Sequence, residues 1–322
     1  KEVKALKEQI EVLSGQTGPE SDIIGESPAM KEVFATIGKL SETDANILIL
    51  GENGTGKDVF AHLLYRCSPR YGKPFVTIDL GSIPEQLFES ELFGYEKGAF
   101  TDARRAKSGR MEVATGGTLF LDEIGNLSLP MQAKLLTAIE KRQITRLGST
   151  QAVPIDVRLI CATNTDIRQM VDEANFRQDL LYRINTVEVH IPPLRERGND
   201  IILLAEYFLN RYGRKYKKEI RGLTREAKNK LLKYAWPGNV RELQHAVERA
   251  VILGEGSLLK PENFPFHTIE RRKKEEDEIL NLEQLERQTV EKALCQGNMT
   301  RAAEYLGITR FALYRKLEKL GL

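Results

Sequence analysis

The chain has 322 residues, a net charge of +2 and an ordinary apolar fraction of 41%, which allows two or three domains with real cores and requires any nucleic-acid surface to be local. Its three cysteines, Cys67, Cys161 and Cys295, stand far apart, which argues against a disulfide framework or a zinc cluster and fits a reducing cytoplasm. No apolar run is long enough to span a membrane and no signal peptide is present, so no membrane partner is expected.

The first residue is a lysine, and residues 1–20 read as a linker helix that follows an upstream domain. Val3, Leu6, Ile10 and Leu13 recur at spacings of three and four, a short a/d seam. The seam suits either a dimerising coiled coil or a solvated helix packed on its own domain, and Gly15 to Pro19 end it.

Residues 21–193 alternate short apolar strands with helices, the pattern of an α/β domain with a mostly parallel sheet. The strands expected are Ile47–Leu50, Phe75–Asp79, Thr118–Leu121, Val157–Ala162 and Val187–Ile191. Ile23-Ile24-Gly25 precede the first helix and could floor a base pocket or simply pack. Ile47 to Leu50 run straight into Gly51-Glu52-Asn53-Gly54-Thr55-Gly56-Lys57-Asp58 and then a helix. This strand–loop–helix setting marks a phosphate-binding loop rather than a plain glycine turn. Glycines let backbone N–H groups converge on phosphate oxygens, the helix start adds partial positive charge, and Lys57 adds a full one. The usual hydroxyl after the lysine is replaced by Asp58, so a Mg²⁺ ion bound with ATP must lean on another acid.

Gly116 to Glu123 supply that acid. A buried strand ends in Asp122 and Glu123 at the sheet edge where ligands of open α/β folds bind. Asp122, with Asp58 beside the loop, would hold Mg²⁺, and Glu123 would orient or deprotonate the attacking water. Thr163 and Asn164 follow another strand at the same edge and could sense the γ-phosphate or hold the attacking water, or simply form a turn. Arg177 and Arg183 lie on a helix nearly two turns apart, which by itself describes ordinary surface arginines.

Residues 194–266 read as helices with apolar faces at helical spacing. The last of these starts at Trp236–Arg241 and carries Arg241 in its first turn, where only a partner anion would favour a cation. Residues 267–281 form a charged linker. Residues 282–322 rebuild an amphipathic helix through Leu282, Leu285 and Val290, then a short helix from Thr300, a turn at Gly307, and a basic helix capped by Thr309. That is a helix-turn-helix pattern, with Thr300, Thr309, Arg310, Tyr314, Arg315 and Lys316, and further along Lys319, placed for double-stranded DNA. A small protein-binding bundle is the other reading of this segment.

Taken together, Gly51–Asp58, Glu91–Ala103, Gly116–Glu123, Phe176–Arg183, Pro193–Arg197 and Trp236–Leu243 resemble the AAA+ bacterial enhancer-binding proteins, activators of sigma-54 RNA polymerase of the nitrogen-regulator type. The terminal module resembles a Fis-type helix-turn-helix. The resemblance implies a P-loop ATPase with a helical lid, a ring homo-oligomer (a hexamer when active, a dimer when inactive) and a receiver domain upstream. It implies Arg177 and Arg183 as fingers reaching a neighbour's site, Arg241 as the lid's sensor, and Gly98-Ala99-Phe100-Thr101-Asp102-Ala103 as the sigma-54-contacting loop. Two positions depart from the family pattern. Asp102 replaces the loop's second glycine, and Asp79 stands where an asparagine usually bonds the catalytic glutamate. The expected function is an ATP-hydrolysing cytoplasmic activator that binds upstream DNA and remodels sigma-54 polymerase. The alternative is a DNA-binding AAA+ regulator that acts without sigma-54 contact.

Overall fold

The computed structural model describes residues 23–101, 103–266, 289–290, 293–294 and 298–320. The seam from Val3 to Leu13, the linker at 267–281, Leu282, Leu285, Asp102, Cys295 and the Lys319 side chain lie outside the described residues. The chain divides into two compact units between Pro265 and Phe266.

The first unit is built on five parallel strands: β1 (Ile47–Leu50), β2 (Phe75–Asp79), β3 (Thr118–Asp122), β4 (Arg158–Thr163) and β5 (Val187–His190), in the order β2-β3-β4-β1-β5. Side chains alternate across it. Leu48, Leu119, Leu121 and Leu159 enter one core, while Ile47, Ile49, Phe120 and Ile160 enter the other. Helices α1 (Pro28–Leu40) and α2 (Lys57–Arg66) cover the second face with Met30, Phe34, Phe60 and Leu64. Helices α3 (Glu85–Phe93) and α4 (Leu129–Lys141) cover the first with Phe88, Leu92 and Leu135. The shorter α5 (Ile167–Asp172) and α6 (Gln178–Ile184) add Ile167, Leu180 and Ile184 to that layer. A sheet buried on both faces reads as continuous apolar runs, as these strands do. Each large side chain so buried contributes about 1.5–3 kcal/mol.

Three strands differ in their bounds from the sequence expectation. β3 closes at Asp122, one residue later than expected. β4 starts at Arg158 and closes at Thr163, one residue later than expected at each end, and β5 closes at His190. Arg158 is buried at the strand's entrance, donating Nε to Ala45 O at 3.3 Å, so a charged residue begins a core strand. Ladder pairing, rather than apolar content, sets these ends.

The remainder of this unit is helical. Helices α7 (Asp200–Tyr216), α8 (Arg225–Lys233) and α9 (Asn239–Leu253) pack through Ile201, Ala205, Phe208, Leu231, Leu243 and Val247. Trp236 is wholly buried between them and donates its indole N–H to Leu231 O at 2.9 Å. A two-stranded parallel pair, Gly222–Leu223 with Leu258–Leu259, joins them. Two residues per strand leave no alternation to read, so the sequence predicts helices alone here.

In the second unit, α10 (Met299–Tyr305) and α11 (Arg310–Leu320) meet over a core of Val290, Ala293, Ala302, Ala303, Leu313 and Leu317. Gly307 makes the turn between them at φ +66°.

Candidate functional site

β1 lies between β4 and β5, and its carboxyl end feeds the loop Gly51–Gly56. Gly54 and Gly56 hold φ of +77° and +92°, which folds the loop back toward the start of α2. Lys57 curls over this loop and donates Nζ to Gly51 O at 3.0 Å and Glu52 O at 3.3 Å. Burial lowers the Lys57 pKa, with Asp122 and then Glu123 pulling the other way. The loop thus presents a partly desolvated ammonium beside glycines in left-handed backbone, chemistry suited to a phosphate chain.

β3 ends beside it. Asp122 accepts the Glu123 N–H on Oδ1 at 3.0 Å, and burial raises its pKa while Lys57 opposes the rise. Glu123 leaves the strand in a left-handed conformation, φ 56° and ψ 45°. A non-glycine residue there carries local strain on the order of 1 kcal/mol, a cost that clusters at functional sites. Glu123 Oε2 accepts the Asn126 side-chain amide at 2.6 Å. Gly81 makes room for this pair, since a Cβ there would lie 2.6 Å from Glu123 Oε2 and 2.9 Å from Asn126 Nδ2. Asp79 bonds its own turn instead, accepting Gly81 N–H at 3.0 Å.

The helical subdomain closes over these groups to form a cavity of about 410 Å³. Ile23, Ile24, Asn53, Gly54, Thr55, Gly56, Lys57, Asp58, Asp122, Glu123 and Arg241 all line it. Gly25 is buried and packs toward Met30. Arg241 sits in the first turn of α9, and its backbone N–H donates to Gly54 O at 3.2 Å. Arg197 also lines the cavity and escaped the sequence reading, although it closes the Pro193–Arg197 block. Its guanidinium is buried, donates to Pro192 O at 2.9 Å and Thr55 O at 3.1 Å, and burial pulls its pKa down to about 10 against Asp200. Asn239 also went unread; its carboxamide reaches Glu52 and Asn53.

Other expected residues fall elsewhere. Thr163 is buried with Oγ1 on Thr165 Oγ1 at 2.8 Å, and its carbonyl accepts Gly51 N–H at 3.3 Å. Asn164 lines a separate depression of about 380 Å³ with Gly51, Glu52, Arg168 and Glu188. Arg177 is the N-cap of α6 rather than part of it and pairs with Asp179 at 2.6 Å. Arg183 sits exposed in the last turn of α6, beside Tyr182, which is 73% exposed. Neither arginine lines the cavity of its own chain.

The Gly98–Ala103 loop closes through Gly98 N–H to Ala103 O at 2.8 Å and Ala103 N–H to Phe100 O at 2.9 Å. Ala103 is buried, Thr101 is exposed, and Ala99 packs on Gly148. Phe100 is 44% exposed and meets Tyr95 edge to face at 4.8 Å. In the second unit, Arg310, Tyr314 and Arg315 are exposed on α11 and Lys316 is half-buried. Thr309 caps this helix, accepting Ala312 N–H at 3.3 Å. Thr300 is exposed in the first turn of α10, which starts at Met299 and is capped by Asn298. Phe311, 71% exposed beneath the Arg315 guanidinium at 5.3 Å, was not anticipated; an aromatic inside a basic helix was its signal.

Comparison with known proteins gives three family matches in chain order. Residues 23–190 match the Sigma-54 interaction domain, residues 195–280 an AAA+ ATPase lid domain, and residues 281–320 the Bacterial regulatory protein, Fis family. The chain is 45% identical over 301 residues to the transcriptional regulatory protein ZraR of Salmonella typhimurium, covering 92% of this chain and 68% of that one. It is 40% identical over 334 residues to the DNA-binding transcriptional regulator NtrC of Escherichia coli K12, covering 95% and 71%. The crystal structure of NtrX from Brucella abortus in complex with ATP superposes with a TM-score of 0.71 at 34% identity, covering 100% of this chain and 73% of that one.

Proposed function

The chain belongs to the sigma-54-dependent transcriptional activators, and from that premise we propose that it hydrolyses ATP to remodel sigma-54 RNA polymerase holoenzyme into the open complex while bound to upstream double-stranded DNA. The observation that carries this reading is the convergence of Lys57, Asp122, Glu123 and Arg241 on one cavity closed by the lid. The solved NtrX complexes with ADP and ATP support nucleotide as its occupant.

In this reading Lys57 and the loop N–H groups bind the β- and γ-phosphates. Glu123 orients the attacking water and takes its proton, the water oxygen bonds to the γ-phosphorus, and the bond to the ADP oxygen breaks. Arg241 answers the phosphates from the lid. Among the described residues no three acidic, histidine or cysteine side chains gather into a metal cluster. Asp122 and Asp58 line the cavity together and would hold Mg²⁺, which commonly takes one or two carboxylates with substrate phosphates and water. When bound, that ion would neutralise phosphate charge. Arg177 and Arg183 are available to a neighbouring subunit, which supports a ring homo-oligomer. The exposed Phe100–Thr101 turn supports a contact with sigma-54. Membership of a family of transcriptional regulators supports a cytoplasmic location. Among the described residues no helix is long and apolar enough to cross a membrane.

The test is open-complex formation on a sigma-54 promoter bearing the upstream site, with ATP or a non-hydrolysable analogue. Open complexes that need both ATP and sigma-54 are expected. Stimulation of ordinary polymerase alone would favour the regulator that acts without sigma-54.

A further inference from the structure

Asn239 is the first residue of α9, 0% exposed, and holds φ +52°. Asparagine tolerates this left-handed conformation better than most residues with a Cβ. Its carboxamide is bonded at both ends. Oδ1 accepts Leu194 N–H at 2.8 Å, and Nδ2 donates to Asn53 O at 3.0 Å and Glu52 Oε2 at 3.1 Å. One side chain therefore ties three segments: the phosphate loop, the connection after Pro193, and the lid helix. Glu52 is held from a second side by Arg195, through Nη1 to Oε2 at 2.9 Å and Nη2 to Oε1 at 2.8 Å.

The junction has no slack. A Cβ on Gly54 would sit 2.4 Å from Gly238 O, so loop and lid meet backbone to backbone. Two residues beyond Asn239, the Arg241 N–H reaches Gly54 O at 3.2 Å. We propose that Asn239 is the positioning residue that fixes Arg241 against the phosphate loop, so that loop and lid respond to a bound nucleotide as one body. The proposal rests on the ATP-site reading above.

Only a carboxamide meets these demands. Aspartate keeps the acceptor for Leu194 N–H but sets a carboxylate against Asn53 O and Glu52. An apolar side chain leaves the buried Leu194 N–H without its acceptor and removes a donor from Asn53 O and from Glu52, whose carboxylate stays held by Arg195.

The test uses the whole chain with two measurements: binding of a fluorescent ATP analogue with Mg²⁺, and amide hydrogen exchange across residues 239–243 without nucleotide. Asn239→Asp should weaken binding by about tenfold and speed exchange at the Arg241 N–H. Adding Glu52→Gln to that chain returns a donor to the pair with its polarity reversed, and should recover much of the affinity relative to Asn239→Asp. Asn239→Gly keeps the left-handed φ and removes the carboxamide, and serves if Asn239→Asp does not fold. Wild-type affinity and unchanged exchange in a folded Asn239→Gly chain would overturn the proposal. So would a lowered Tm with both readouts unmoved, or a double variant that recovers nothing. A wild-type chain that binds no ATP would instead sink the ATP-site reading. The exchange at Arg241, which needs no nucleotide, would still decide whether Asn239 pins loop to lid.

Discussion

Asn126 donates its side-chain amide to Glu123 Oε2 at 2.6 Å, from within the single turn that follows β3. The bond holds the carboxylate beside Gly81, next to β2, whereas the phosphate loop follows β1 on the other side of β3 and β4. A hydrogen bond to a charged group is worth about 1.5–3 kcal/mol and must loosen before Glu123 can turn fully to a water at the phosphate. Asn126→Ala should therefore raise basal ATP turnover, by up to about tenfold, and leave ATP affinity nearly unchanged. Steady-state kinetics beside direct binding would check this; turnover that falls together with affinity would mean that Asn126 only supports the fold.

Asp122 gives a prediction about stability. Burial raises its pKa above the ordinary 3.8, against the pull of its bond from Glu123 N–H and of Lys57. A carboxyl with a higher pKa folded than unfolded adds stability while protonated and loses it as pH rises through the folded value. At neutral pH the ionised group is then a cost to the nucleotide-free fold. Asp122→Asn should raise Tm at pH 7 by about 2 °C, with the gain fading as pH falls through the raised folded value and gone by 3.8. The same variant should lose Mg²⁺-dependent hydrolysis. A Tm difference that does not depend on pH would refute the account.

The sheet and the phosphate loop were legible because each rests on a local pattern: a buried run, then glycines, then Lys57. Asp122 was equally legible as the acid that closes such a run. Arg197, Asn126 and Asn239 were not, because their roles depend on partners brought together only by folding. Arg197 meets Thr55 across 142 positions, and Asn239 meets Glu52 across 187. Asn126 lies only three residues from Glu123, yet nothing in the spacing shows that Glu123 takes a left-handed turn that brings them together. Asp79 stands where the family has an asparagine that bonds the glutamate; here its Oδ1 accepts Gly81 N–H within its own turn, and Asn126 is the residue that donates to Glu123.

Arg177 and Arg183 are exposed and absent from their own chain's cavity, which leads to a mixing experiment. Arg183→Ala and Lys57→Ala chains should each be inactive alone. Mixed, they should recover part of the ATPase activity, because some sites would pair an intact loop with an intact neighbouring arginine. No recovery in rings verified to contain both chains would place these arginines outside the chemistry.

DNA binding should depend steeply on salt, since counterions are released as Arg310, Arg315 and Lys316 meet phosphates. Phe311 lies exposed on the same helix beneath Arg315, and phenylalanine is a residue type that makes apolar contact with a thymine methyl. Phe311→Ala should cost about 1–3 kcal/mol at one base position and little on random DNA. Arg315→Ala should weaken all sites alike and flatten the salt slope by about one unit. Equal losses from both variants on every sequence would remove Phe311 from base readout.

The Phe100–Thr101 turn makes the sharpest separation of function. Phe100 is 44% exposed, and its aromatic partner is Tyr95, outside the loop. The turn closes through backbone bonds between Gly98, Phe100 and Ala103, so the Thr101 side chain is not required to hold its shape. Thr101→Ala should leave ATP hydrolysis, DNA binding and Tm nearly unchanged, yet abolish sigma-54 capture with a transition-state nucleotide analogue. Phe100→Ala should also lose capture, and its stability should fall by much less than the ~3–5 kcal/mol of a core phenylalanine, because so much of the ring is already in water. A large drop in Tm and ATPase together would instead identify the ring as structural. Asp102→Gly, which restores the glycine common in the family, should keep or strengthen capture. Capture by Asp102→Gly but never by the wild-type chain would show that this loop no longer serves sigma-54, and that the protein regulates transcription by another contact.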